Sequence, residues 1–261
     1  MAVLTRSIAH TFQFPLPATP ARFTNMAPPT TNIRSRASAV SFSDNTAAPV
    51  SSRKLPVLLF DIMDTIVRDP FYEDIPAFFG MSLKELIGCK HPTSWIEFEK
   101  GLIDEVELAQ NFFKDGRPFD LEGLKTCMRN GYSYIDGVEE LLHDLRESHY
   151  KMHAFTNYPV WYQIIEDKLR ISKFLSWTFC SCKLGKRKPD PNFYTDVVRH
   201  LEVDPSDCIF VDDRLKNVEA ALEVGIVGLQ FKSVDQLRKD LCLLGIDIPM
   251  KDKLVVEERA P

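Results

Sequence analysis

The stretch Pro56-Val57-Leu58-Leu59-Phe60-Asp61-Ile62-Met63-Asp64-Thr65 decides how this chain folds. Its first five residues are apolar and unbroken, too few for a helix, and they end on a carboxylate. That is the pattern of a strand buried on both faces that delivers a polar group to the sheet edge. Four further runs repeat it: Tyr150–Phe155, Trp177–Cys180, Cys208–Val211 and Ile226–Gln230. Helical periodicity fills the intervals, at Gly137–Ser148, Trp161–Leu169, Pro191–His200, Lys216–Val224 and Val234–Leu243. Asp190-Pro191 marks one helix start, a capping side chain before a proline in the first turn. Strands alternating with helices predict an α/β fold, a doubly wound, Rossmann-like parallel sheet with ligands at the carboxyl ends of its strands.

The interval after the first strand is too long for a single crossover. Its pattern is helical throughout, at Ile75–Phe79, Leu83–Ile87, Trp95–Gly101, Glu105–Lys114 and Leu121–Met128. The expectation is an α-helical cap inserted at 71–135, with the core formed by 55–70 and 136–250. Residues 251–261 are charged and expected to form a mobile tail.

Residues 1–54 differ from the rest. They are rich in Ser, Thr, Ala and Pro, with Asp44 the only acid among six Arg and Lys residues. An acid-poor, hydroxylated, Arg-containing leader reads as an organelle transit peptide. Pro15, Pro17, Pro20, Pro28 and Pro29 oppose a long amphipathic helix, which favours a chloroplast destination, the stroma, over a mitochondrial one. The same composition also suits a plain disordered tail.

Across 261 residues the chain is 44% hydrophobic and 26% charged, ample for a buried core, with net charge −5. The acidic balance and the lack of a Lys/Arg stripe argue against a nucleic-acid partner. No run approaches the roughly 18 apolar residues of a membrane span. The six cysteines are scattered without zinc spacing and read as buried thiols. Nothing here fixes an oligomeric state.

Four polar clusters follow the first four apolar runs. They are Asp61-Ile62-Met63-Asp64-Thr65, then Thr156-Asn157, then Gly185-Lys186-Arg187-Lys188-Pro189-Asp190-Pro191, then Asp212-Asp213-Arg214 with Asn217 a turn later. Any one of them also fits a helix cap, a turn or a solvated pair. Four in order, each after a buried strand, fit phosphoryl transfer, which needs positioning and charge more than covalent chemistry. A carboxylate can attack phosphorus and split one hard hydrolysis into two easier steps. A hard divalent cation such as Mg²⁺ must then bridge the anions, with Asp61 and Asp213 as oxygen ligands. The Thr156 hydroxyl and Asn157 amide can donate to phosphoryl oxygens, and Lys188 supplies a compact positive charge.

These clusters resemble the four motifs of the haloacid dehalogenase (HAD) superfamily of hydrolases, over Leu55 to about Gly245. The resemblance implies that Asp61 is the nucleophile and that Thr156 and Asn157 bind the phosphoryl group. It implies that Lys188 neutralises nucleophile and phosphate, and that Asp213, with Asp212 beside it, holds Mg²⁺. The Met63 backbone carbonyl is then a further metal ligand. One position departs from the superfamily's phosphatases, which carry an aspartate where Met63 stands. Methionine has no exchangeable proton, so the usual acid/base is missing, and Asp64 reads as a turn residue. General acid–base assistance is typically worth about 10²–10⁴-fold. The departure admits a dehalogenase-like or phosphonate-cleaving enzyme, or a catalytically silent binder of a phosphorylated ligand. The Asp212-Asp213 pair opposes the first, since dehalogenation needs no metal. The intact Asp61, Thr156, Lys188 and Asp213 oppose the second.

A closer resemblance lies in Phe60–Val67, Trp95–Ile103 and Phe155–Pro159, which look like the superfamily's plant plastid branch acting on flavin mononucleotide (FMN). It implies hydrolysis of FMN to riboflavin and phosphate. Other small metabolites, sugar phosphates or nucleotides, remain alternatives. A flavin ring wants a flat apolar slot with aromatic faces. Phe71, Tyr72, Trp95, Phe98, Tyr158 and Trp161 lie near the motifs or in the expected cap. Of these, Tyr158, Trp161 and Trp95 are the ring candidates, the first two because they follow Asn157.

Overall fold

The computed structural model describes residues 54–248. The expected transit segment, apart from Lys54, and the expected tail lie outside the described residues. Five strands, β1 (Val57–Phe60), β2 (Met152–Thr156), β3 (Ser176–Cys180), β4 (Cys208–Asp212) and β5 (Val227–Gln230), form one parallel sheet in the order β3-β2-β1-β4-β5. The chain runs outward from β1 to β3, then returns to lay β4 on the other side of β1. That reversal opens a crevice at the carboxyl ends of β1 and β4. Register brings the ends together: Phe60 pairs with Val211 and with Ala154, so Asp61 emerges level with Asp212 and one residue short of Thr156.

Strand periodicity sends alternate side chains to opposite faces. Leu58 and Phe60 enter one buried cluster, while Val57 and Leu59 enter a second with Phe155, Phe193 and Phe210. Every residue of β1 and β4 is buried. The outer strands break the expectation of burial on both faces. β5 is only partly buried along its length and β3 is exposed at its start. Each is an edge with one neighbour, so only the β1, β2 and β4 runs are covered on both sides.

Between β1 and β2 the chain builds α1 (Asp74–Phe78), α2 (Leu83–Cys89), α3 (Ser94–Glu99), α4 (Glu105–Asn111), α5 (Leu121–Gly131) and α6 (Val138–Glu147). The first five match the helical pattern read in 71–135. Most are too short to persist alone. Capping boxes start two of them, Ser82 with Glu85 and Asp104 with Glu107. Their buried Ile75, Leu86, Phe98, Leu108 and Leu124 join the cluster of Leu58 and Phe60. Each such side chain contributes roughly 1.5–3 kcal/mol.

The remaining helices are α7 (Tyr162–Leu169), α8 (Ser181–Leu184), α9 (Pro191–Leu201), α10 (Leu215–Glu223) and α11 (Val234–Leu243). α9 starts as its sequence signals, with the Asp190 carboxylate accepting from Asn192 N–H and Pro191 in the first turn. α3 is docked on α8 at the end of β3. Ser181 Oγ donates to the Glu99 carbonyl at 2.5 Å. Gly101 has φ +66°, and a Cβ there would lie 2.5 Å from the Cys182 carbonyl oxygen. Both the backbone angle and the close approach demand glycine. All six cysteines are free thiols. Among the described residues no helix is long and apolar enough to cross a membrane.

Candidate active site

Three strand ends and one loop converge on Lys188. Its ammonium donates to Asp61 Oδ1 at 3.0 Å, to Asp212 Oδ2 at 2.5 Å and to the Phe155 carbonyl at 2.7 Å. All three protons are used, and the residue is 2% exposed. Burial alone would lower this lysine, but the carboxylates of Asp212 and Asp61 hold it above its usual range. The ammonium is therefore a fixed positive charge at the end of β1.

Asp61 is buried, with its backbone N–H bonded to the Val211 carbonyl. Burial pushes its carboxyl up to about 6 even though Lys188 pulls the other way, and Asp212 adds to the rise. Burial, reinforced by Asp61 and Asp212, pushes Asp213 up to about 7. Asp61, Asp212 and Asp213 each offer an oxygen within 4.8 Å of the others. One ammonium does not balance three carboxylates. Asp213 Oδ1 is buried and has no hydrogen-bond partner among the described residues. An all-oxygen set with an unpartnered carboxylate oxygen fits a hard divalent cation.

The two adjacent aspartates have different surroundings. Both Asp212 oxygens are already engaged, by Lys188, by Asn217 Nδ2 at 3.0 Å and by Arg214 N–H at 2.8 Å. Asp213 keeps Oδ1 free: its Oδ2 lies 4.0 Å from Arg214 Nε, and its backbone N–H donates to Thr65 Oγ1 at 3.1 Å. The free ligand is thus Asp213, and Asp212 chiefly anchors Lys188 and Asn217.

Thr156 is fully buried at the end of β2, and its hydroxyl has no partner among the described residues. A buried orphan hydroxyl beside an anion site is a donor in waiting. Asn157 has a second task besides the expected one. Its Nδ2 donates to the Lys188 carbonyl at 2.9 Å and its Oδ1 accepts the Lys188 N–H at 2.7 Å. The side chain clamps the Lys188 backbone with one N–H and its oxygen, and its second N–H remains for a phosphoryl oxygen. Asp64 behaves as a turn residue, with φ +56° and its carboxylate accepting the Asp69 N–H at 3.0 Å.

A single cavity runs from this cluster to the helical segment. Asp61, Met63, Asn157 and Lys188 form one end, and Phe71, Tyr72, Trp95 and Tyr158 line the walls. Trp95 donates through Nε1 to Glu99 Oε1 at 2.8 Å, and Tyr158 shares a hydroxyl hydrogen bond of 2.6 Å with Tyr132. Trp161 is not on the cavity wall. It is 1% exposed, packs edge-on against Trp95 and Phe98, and donates to Glu105 Oε1. Its closeness to Asn157 in sequence is undone by the start of α7, which turns the indole into the core. Phe98 is buried in the same aromatic cluster.

Asp69, Lys90, Glu99, Arg187 and Arg214 also line the cavity and were not singled out from the sequence. Glu99 and Arg187 form an ion pair at 2.9 Å. Arg187 and Arg214 stood within the quoted clusters, beside Lys188 and Asp213. Asp69, Lys90 and Glu99 carry no local signal, since only the docking of α3 and of the loop after β1 brings them here.

Comparison with known proteins agrees with this architecture. Residues 57–225 match the family described as hydrolase, haloacid dehalogenase-like hydrolase. The chain is 68% identical over 196 residues to chloroplastic flavin mononucleotide hydrolase 1 of Arabidopsis thaliana, covering 75% of this chain and 80% of that protein. It is 31% identical over 156 residues to the sesquiterpene phosphatase astK of Aspergillus oryzae, covering 57% and 78%. Among solved structures, a predicted HAD-like family hydrolase from Porphyromonas gingivalis superposes with a TM-score of 0.59 at 15% identity, covering 74% of this chain and 98% of that one. A HAD family enzyme from Bacteroides thetaiotaomicron, in complex with magnesium and inorganic phosphate, gives 0.57 at 18% identity, covering 70% and 99%. With the family matched over most of the described chain, and the fold shared with its solved members, the protein belongs to the haloacid dehalogenase-like hydrolases.

Proposed function

We propose that this chain is a Mg²⁺-dependent phosphatase that hydrolyses FMN to riboflavin and phosphate in the chloroplast stroma. The observation that carries this reading is the single cavity joining the Asp61–Lys188 cluster to the aromatic wall of Phe71, Tyr72, Trp95 and Tyr158. One end suits a phosphate and the other a flat ring. The 68% identity to a hydrolase named for FMN and for the chloroplast supports the substrate and the compartment. The cavity encloses about 230 Å³. On this reading 71–135 acts as a cap on the core.

Asp61 attacks phosphorus in line with the departing oxygen and carries the phosphoryl group as an aspartyl-phosphate. Lys188 holds Asp61 in place and offsets negative charge at the moment of attack. The Thr156 hydroxyl and the backbone at Asn157 receive the phosphoryl oxygens, while the Asn157 side chain keeps Lys188 in position. Asp61, Asp213 and the Met63 carbonyl would hold Mg²⁺, with Asp212 beside them. Bound there, the cation supplies charge neutralisation between nucleophile and phosphate. The three-carboxylate cluster also separates this reading from dehalogenation, which has no use for a cation.

Phosphate release from a panel of FMN, sugar phosphates, nucleotides and a phosphonate, with and without Mg²⁺, tests the proposal. FMN is expected to be the preferred substrate, with release abolished by chelation. Preference for another phosphate ester would overturn the substrate, and release from the phosphonate alone would overturn the reaction class.

A further inference from the structure

Met63 leaves the reaction without the usual proton donor, yet the cavity holds another carboxyl. We propose that Asp69 is the acid/base residue of this site, protonating the leaving oxygen and then activating the hydrolytic water. The inference rests on the reading of the chain as a phosphatase acting through Asp61.

Three carboxylic acids line the cavity: Asp61, Asp69 and Glu99. Asp61 is paired with Lys188. Glu99 is held by Trp95 Nε1 and by Arg187. Asp69 is pinned by one oxygen only. Its Oδ1 accepts the Phe71 N–H at 2.9 Å, and its own N–H donates to Asp64 Oδ1 at 3.0 Å. Oδ2 has no hydrogen-bond partner among the described residues. A carboxyl fixed at one oxygen and free at the other, on the wall shared with the nucleophile, has the form of a proton donor.

The surroundings agree. Asp69 is half-buried in the loop that leads from the turn after β1 into α1, with Pro70 fixing the backbone beyond it. Asp61, Asp64 and Arg214 are the charged groups that act on it, and the hydroxyls of Tyr72, Tyr132 and Tyr158 feel its charge. Burial pushes its carboxyl up to about 6, with Asp64 adding to the rise and Arg214 opposing it. At that value a useful fraction is protonated near neutrality. Asp64 is set apart by position, since it does not line the cavity.

As Asp61 Oδ bonds to phosphorus, the bond from phosphorus to the ribityl oxygen breaks and its electron pair stays on that oxygen. The Asp69 proton goes to the same oxygen, and riboflavin leaves as the alcohol. Asp69, now a carboxylate, takes a proton from the water that attacks phosphorus. The phosphorus–Asp61 bond breaks, phosphate leaves, and Asp69 is again a carboxylic acid.

The test uses the full chain with Mg²⁺, FMN and p-nitrophenyl phosphate. An alkoxide leaving group needs a proton, whereas nitrophenolate does not. Asp69→Asn preserves the acceptor for Phe71 N–H and removes only the acid. It is expected to lower kcat/KM for FMN by about 10²-fold or more. For p-nitrophenyl phosphate the loss should stay below about tenfold, with a burst of one nitrophenolate per chain as phosphorylated Asp61 accumulates. Asp69→Glu should restore part of the FMN activity. Equal losses on both substrates, or an unchanged rate on FMN, would overturn the proposal. A wild-type chain that releases nothing from FMN but turns over the aryl ester would overturn the FMN reading itself, and this inference with it.

Discussion

The two ends of the cavity are built in opposite ways. At the sheet edge, Asp61, Thr156, Asp212 and Asp213 sit at or next to strand ends aligned by register, and the loop after α8 adds Lys188. At the helical wall, Lys90, Trp95 and Glu99 from the α2–α3 region meet Arg187 from a loop almost a hundred residues later. The first arrangement is local and rigid, since β1 and β4 are wholly buried. The second depends on docking one short helix, held by Ser181 and by the close approach of Gly101 to Cys182. On the proposed reading, the sheet edge carries the chemistry and the helical wall the choice of substrate.

Substitutions at the two ends should separate these contributions. The largest effect belongs to the nucleophile. Asp61→Asn should lower kcat by about 10⁴-fold or more while ligand binding persists, as checked by phosphate release and flavin fluorescence titration. Second comes the buried ammonium. Lys188→Met leaves two buried carboxylates unpaired and should cost about 3–5 kcal/mol in denaturant unfolding, with loss of turnover. Third is the clamp. Asn157→Ala removes two hydrogen bonds to the Lys188 backbone and should cost about 1–3 kcal/mol, with kcat reduced but not abolished. Smallest is the wall. Trp95→Ala should raise KM for FMN by about tenfold, the worth of roughly 1.4 kcal/mol of aromatic contact, and leave a small alkyl phosphate unaffected. If Trp95→Ala changed both substrates equally, the division between the two ends would fail.

The same division explains what the sequence reveals. Asp61, Thr156, Lys188 and Asp212-Asp213 are legible because each follows an apolar run and the parallel sheet aligns those runs. The helices of 71–135 are legible from their periodicity. Burial of β3 and β5 is misjudged because an apolar run does not say whether it lies at an edge. Trp161 is misread because adjacency to Asn157 says nothing about the turn that starts α7. The clamp that Asn157 places on Lys188 goes unread because its bond to a backbone 31 residues away has no local trace. Asp69 hides for the same reason, since only the loop after β1 returns it to the cavity.

The central claim is that Asp61 carries the phosphoryl group. Acid quenching of the chain during turnover of FMN with Mg²⁺, followed by peptide mass spectrometry, reads this directly. The account predicts a phosphoryl group on the peptide containing Asp61, absent from Asp61→Asn. Riboflavin and phosphate released at the full rate with no phosphoryl group trapped on Asp61 would contradict it.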